Sequence, residues 1–266
     1  MRCVRRFVFL CALPLLMAGC GGSAGSGGSA PVYPDLTGNW NINIISNLSG
    51  IVDRNFVVGG YISNTEGSVS GILHVTGSNC YTAATDIPIT GAITTKSVLS
   101  ISSAPVAGQI LTVTGIAVVT PSGNGAIGGT YTIAGGCAGG DNGMVIGILQ
   151  PPFTNTYTGS MTLGLSNSSI AMTMTTVQSG PDADGEYSVT GSATFGGTAC
   201  FTKGTITSSA IFGGEIQVSI TTDNNGSVQF TGMANPNPDG ISILASIKAT
   251  SGSCAGQIGI GILSAP

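Results

Sequence analysis

The sequence predicts an all-β protein made of two tandem antiparallel eight-stranded up-and-down barrels, with a pair of β-sandwiches as the alternative closure. Three observations carry this expectation. Apolar and polar residues alternate with period two between clusters of Gly, Asn, Asp and Pro, and no long segment has helical spacing. The chain of 266 residues matches itself once, half against half. Charged residues make up 7% of it, where a typical soluble domain has about 25%. Ser, Thr, Asn and Gly take their place, which suits the polar strand faces of an exported β protein.

The first element is a signal peptide over residues 1–19. Arg2, Arg5 and Arg6 form a basic start, the apolar run from Phe7 to Met17 is too short to span a bilayer, and Ala18-Gly19 is a small-residue cleavage site. The ending Leu16-Met17-Ala18-Gly19-Cys20 resembles the lipobox of bacterial lipoproteins. That resemblance implies that Cys20 becomes the lipid-bearing first residue of the mature chain. It also makes a membrane the first partner, and Gly21 after the Cys implies onward export to the outer membrane. Residues 20–35, dominated by Gly, Ser and Ala, cannot bury a core and read as a flexible tether. Fully stretched, a dozen such residues reach about 40 Å.

The two repeats span 36–150 and 155–264, with Gln150-Pro151-Pro152 between them. Val69-Ser70-Gly71, Gly77 and Cys80-Tyr81-Thr82 recur in step as Val189-Thr190-Gly191, Gly197 and Cys200-Phe201-Thr202. Thr37-Gly38-Asn39-Trp40 aligns with Thr158-Gly159-Ser160-Met161, and both repeats close on Gly-Ile-Leu, at 147–149 and 261–263. Alternation assigns Trp40, Ile42 and Ile44 to one buried face, and Met161, Leu163 and Leu165 to its counterpart. It pairs Leu111, Val113 and Gly115 with Val228, Phe230 and Gly232. On the last strands it assigns Met144, Ile146 and Ile148, and likewise Ile258, Ile260 and Ile262, to the interior. The faces near Ile133 and Ala249 agree only if one residue is inserted before Cys254, by a bulge or a longer turn.

About eight strands per repeat with short connections favour neighbouring antiparallel pairs, and a barrel is the simplest closure. The opening Thr37-Gly38-Asn39-Trp40 resembles the Gly-x-Trp first strand of calycins, the lipocalin and avidin group. That resemblance implies a Trp packed across a closed barrel end and an interior open to a small ligand. The inward Gly71, Gly115, Gly191 and Gly232 would leave room for one, or would relieve crowding where strands bend.

Of seven cysteines, Cys3 and Cys11 leave with the signal. If Cys20 carries lipid, four remain for an oxidising compartment. Cys80 follows the third strand and Cys137 the seventh, and odd-numbered strands of a meander end at the same rim. The expected pairs are therefore Cys80 with Cys137 and Cys200 with Cys254. Zinc held by the same four thiolates is the competing reading, disfavoured by their wide separation.

Catalytic chemistry finds little material. The one histidine, His74, falls on the polar face with Ser70 and Thr76 and reads as a solvated strand residue. No nucleophile elbow and no phosphate-binding Gly loop accompany it. In Gly180-Pro181-Asp182-Ala183-Asp184-Gly185-Glu186-Tyr187 the acids begin like a calcium loop, but no bidentate acid follows, and Asp-Gly between strands reads as a hairpin turn. The sequons at Asn47, Asn167 and Asn225 carry no weight in a bacterium. After signal removal, Arg54, Lys96, Lys203 and Lys248 face eleven acids, a net charge of −7 that argues against nucleic acid. The expectation is a non-catalytic, membrane-anchored lipoprotein without cofactor or metal, which binds a small apolar ligand or surface partner. A structural or adhesive lipoprotein with solid barrels is the alternative.

Overall fold

The computed structural model describes residues 30–48, 55–78, 80–81, 85–164, 168–196, 200–237 and 240–265. The signal peptide, Cys20 and most of the tether lie outside these residues. The described residues contain strands and no helix. The first eight strands are β1 (Gly38–Ser46), β2 (Phe56–Thr65), β3 (Ser68–Gly77), β4 (Asp86–Ile93), β5 (Val98–Ser103), β6 (Ile110–Val119), β7 (Gly125–Ala134) and β8 (Asn142–Gln150). They form an antiparallel meander that closes when β8 pairs with β1, Asn39 opposite Gln150 and Ile45 opposite Met144. The second eight are β9 (Asn155–Leu163), β10 (Ser168–Ser179), β11 (Ser188–Gly196), β12 (Lys203–Phe212), β13 (Glu215–Thr222), β14 (Ser227–Asn237), β15 (Gly240–Ser251) and β16 (Ile258–Ala265). They close in the same way through β16 and β9.

Alternation explains the interiors. Ile42, Ile44, Val58, Leu73, Ile89, Ile101, Val113 and Ile127 meet inside the first barrel, and Met161, Met172, Met174, Phe195, Val218, Phe230 and Ile247 inside the second. Trp40 is fully buried, and its Nε1 donates to the Leu36 carbonyl at 2.8 Å. The segment before β1 is strapped down by one amide. Asn64 accepts from the Leu36 N–H at 2.6 Å and donates to the Pro34 carbonyl at 3.0 Å.

The second barrel repeats this strap, with Gln178 accepting from the Phe153 N–H at 2.7 Å. Register follows from it. Trp40 lies opposite Gly60 on β2 and Tyr157 opposite Met174 on β10, four residues from Asn64 and Gln178 respectively. The counterpart of Trp40 is therefore the equally buried Tyr157 and not Met161. The Thr-Gly match at 158–159 is displaced from the true start of the strand. Leu165 lies outside the described residues.

The last strands overturn another expected face. Met144, Ile146 and Ile148 are 53%, 43% and 39% exposed, and Ile258, Ile260 and Ile262 are 57%, 66% and 56% exposed. The inward positions belong instead to Gly143, Val145 and Gly147 on β8, and to Gly259 and Leu263 on β16. Crowding explains the choice, since a Cβ on Gly147 would stand 3.1 Å from the Ile127 Cβ and 3.3 Å from Ile42. Where Gly alternates with Met or Ile, the larger residue is displaced outward. The one-residue mismatch before Cys254 takes the form of a β-bulge, where Ser227 pairs with Ser251 but Val228 with Ala249.

Candidate functional site

Three places hold side chains that sequence reasoning singled out: the interiors, the disulfide rims and the seam between barrels. The interior of the first barrel contains a cavity of about 10 Å³ walled by aliphatic side chains, among them Ile44, Leu73, Leu111 and Val145. A water molecule alone needs at least that much, and a drug-sized ligand needs about 300 Å³ or more. The four glycines expected to leave room do not. A Cβ on Gly71 would meet the Tyr61 carbonyl, one on Gly115 the Gly128 carbonyl, one on Gly191 the Thr175 carbonyl, and one on Gly232 would lie 2.5 Å from Ile243. They permit close approach of neighbouring chain and so relieve crowding.

At the rims, Cys80 is bonded to Cys137 and Cys200 to Cys254, with Cα atoms 5.4 and 5.7 Å apart. Gln109, fully buried, supports the first bridge. Its Oε1 accepts from the Ala138 N–H at 2.9 Å, and its Nε2 donates to the Cys80 carbonyl at 3.2 Å. Beside it, the buried Asp141 carboxylate accepts from Tyr131 Oη at 2.9 Å, Ser46 Oγ at 2.6 Å and the Asn142 N–H at 2.9 Å. With its lone pairs occupied by neighbours from three strands, this acid ties the rim together.

The seam is where the chain places its one histidine. Around His74 the outer face of β3 is covered by the second barrel, so His74 is 5% exposed and not solvated as expected. It also has the carboxylate that sequence reasoning missed. β4 places Asp86 directly opposite His74, and Nδ1 stands 2.7 Å from Asp86 Oδ1. Nε2 stands 3.1 Å from the Asp184 carbonyl oxygen, and the ring centroid 4.1 Å from that of Phe212. Oxygen atoms therefore face both ring nitrogens. A turn-forming Gly-Gly pair brings the second barrel in. Gly213, with φ +57°, exchanges two hydrogen bonds with the Asn39 amide, at 2.7 and 2.8 Å, and approaches the β1 and β2 backbones so closely that a Cβ there would stand 2.7 Å from the Trp40 carbonyl.

The acidic phrase also lies at this seam. Asp182 Oδ1 accepts from the Asp184 and Glu186 N–H groups at 2.9 and 3.0 Å, the bonding of a turn. Burial raises the Glu186 carboxyl above its ordinary value, Asp182 adds to the rise, and His74 opposes it. Asn47 and Asn225 are exposed, while Asn167 and Cys20 lie outside the described residues. These groups hold turns, rims and barrels together. None of the acids named stands free beside a nucleophile, and His74 spends both nitrogens on neighbours. No local pattern in the sequence could have paired His74 with Asp86, because the pairing exists only once β3 and β4 are in register.

No protein-family model matches this sequence, and a search of curated proteins finds no match. Among solved structures, it is similar to a protein of unknown function from the DUF3598 family of Nostoc punctiforme. Identity is 10%, with 87% of this chain and 96% of that chain covered, and the TM-score is 0.24.

Proposed function

We propose that this chain is an exported, non-catalytic lipoprotein, held through Cys20 to an outer membrane, whose two solid barrels form a rigid body presenting a sparsely charged, hydroxyl- and amide-rich surface to a partner. The observation that carries this reading is the filled interior of the first barrel. A cavity of about 10 Å³ walled by aliphatic side chains has no volume to give a ligand. Two disulfides favour an oxidising, exported setting. The small-ligand reading required inward glycines that open space, and these glycines abut neighbouring backbone and side chains instead.

Native mass spectrometry of the gently purified protein, before and after incubation with a lipid extract of its host, tests the choice. The expected spectrum is the mass of the bare chain with its lipid and two disulfides. A dissociable extra mass would instead carry the small-ligand reading.

A further inference from the structure

His74 is the one histidine of the chain, and the fold encloses it where the two barrels meet. Within the first barrel, Gly59 lies opposite it on β2 and Asp86 on β4. From the second barrel, Phe212 at the end of β12 and the turn at Asp184 close over the ring. Its two nitrogens thus serve different bodies. Nδ1 meets Asp86 Oδ1 at 2.7 Å inside the first barrel, whereas Nε2 meets the Asp184 carbonyl oxygen at 3.1 Å across the seam.

An imidazolium has an N–H for each of two such oxygens, whereas a neutral imidazole has one N–H and one lone pair. A carboxylate, as a charged acceptor, holds an N–H more strongly than a carbonyl does. A neutral ring in this place therefore keeps its proton on Nδ1, toward Asp86, and turns a bare Nε2 toward the Asp184 carbonyl. Two lone pairs then face each other across the seam.

We propose that His74 is a proton-operated latch between the barrels: the protonated ring ties Asp86 to the Asp184 carbonyl, and loss of the Nε2 proton to solvent releases the carbonyl and loosens the seam. The Asp86 side chain beside the buried ring is 51% exposed and gives that proton a path to water. Histidine suits the task, since as a residue type it changes charge between about pH 5 and 8.

The other ionisable groups around the ring work in the same direction or stay silent. Burial, and then Asp182, raises the Glu186 carboxyl; Asp184 and Asp86 add to the rise, and His74 opposes it. A carboxyl raised in the fold contributes stability that is lost as pH rises through its folded value, so acid favours the closed seam at Glu186 as it does at His74. Tyr61 and Tyr187 meet across the same seam with centroids 6.2 Å apart. Burial, and then Tyr61, pushes Tyr187 up to about 12, so it keeps its proton throughout the histidine range.

Hydrogen exchange on the full-length protein tests the latch, because the Gly213 N–H is bonded across the seam to the Asn39 Oδ1 and reports its opening. Corrected for intrinsic rates and relative to the amides of β6, Gly213 in the wild type is expected to exchange about 10-fold faster at about pH 9 than at about pH 5. His74→Gln places an uncharged N–H donor near Nε2 that cannot titrate, and its Gly213 should exchange alike at both. Glu186→Gln should keep the wild-type change. A second measurement needs no variant: the ring nitrogens of a lone histidine give unshared ¹⁵N signals, and at about pH 9 the retained proton is expected on Nδ1. Wild-type protection indifferent to pH, a change that survives in His74→Gln or vanishes in Glu186→Gln, or a neutral ring protonated on Nε2 would each overturn the latch.

Discussion

At the scale of single residues, the molecule depends on buried polar groups such as Gln109 and Asp141 that bond to neighbouring strands and loops. Gln109 is the clearest case, because each end of its amide satisfies a backbone group beside a bridge cysteine. Gln109→Leu keeps the volume and leaves the Ala138 N–H and Cys80 carbonyl without that partner. It is expected to destabilise the first barrel by about 1–3 kcal/mol, read from urea denaturation. Burial gives a second expectation. Tyr157 and Tyr187 have their phenol pKa pushed up to about 12 by desolvation, from 10.0. Their folded values exceed their unfolded ones, so both states are neutral below pH 10 and no stability is lost there. Between pH 10 and about 12 only the unfolded chain ionises, and stability should fall through that window. Comparison of the 295 nm absorbance with that of Tyr157→Phe and Tyr187→Phe should show phenolate from these two rings appearing together with unfolding; a difference already present at pH 10 in the folded protein would refute their burial.

At the scale of elements, alternation identified strands and most inward faces, and the bulge near Ala249 takes up the residue that the repeats could not align. It failed where both faces of a strand carry residues that look apolar or small. On β8 and β16 one face carries Met144, Ile146, Ile148, Ile258, Ile260 and Ile262 and half of the positions on the other are Gly, so hydrophobicity pointed one way and volume the other. Volume decided, because the closing strands face a crowded interior. The displaced start of β9 has a similar cause, since a dipeptide match is a weaker guide to register than the amide strap of Asn64 and Gln178. The turn at Gly213 carries the prediction at this scale. Gly213→Val would add bulk against the Trp40 carbonyl in a left-handed conformation, at a cost of about 1–3 kcal/mol, and should uncouple the barrels. Trp40 is the single tryptophan, so its fluorescence follows the first barrel alone while circular dichroism follows both. The two melting curves should coincide in the wild type and separate in the variant.

At the scale of the whole molecule, duplication and the repeated strand count were legible in the sequence, whereas contact between barrels was not. The seam is made by Asn39, His74, Gly213 and the turn at Asp184, residues far apart in the chain and individually ordinary. Only folded geometry brings them together. Cys20→Ser should release the protein from membranes into the soluble exported fraction; retention in the membrane fraction would remove the anchor from the proposed function.

Closure of both barrels has a consequence for behaviour at high concentration. In each, the first strand is bonded to the last, so neither leaves a row of unpaired N–H and C=O groups along a free margin. Copies crowded together thus have no exposed barrel strand to template another, and cannot knit into a cross-β fibre without first breaking a ring of hydrogen bonds. Whatever order such a crowd acquires must come from side chains meeting face to face.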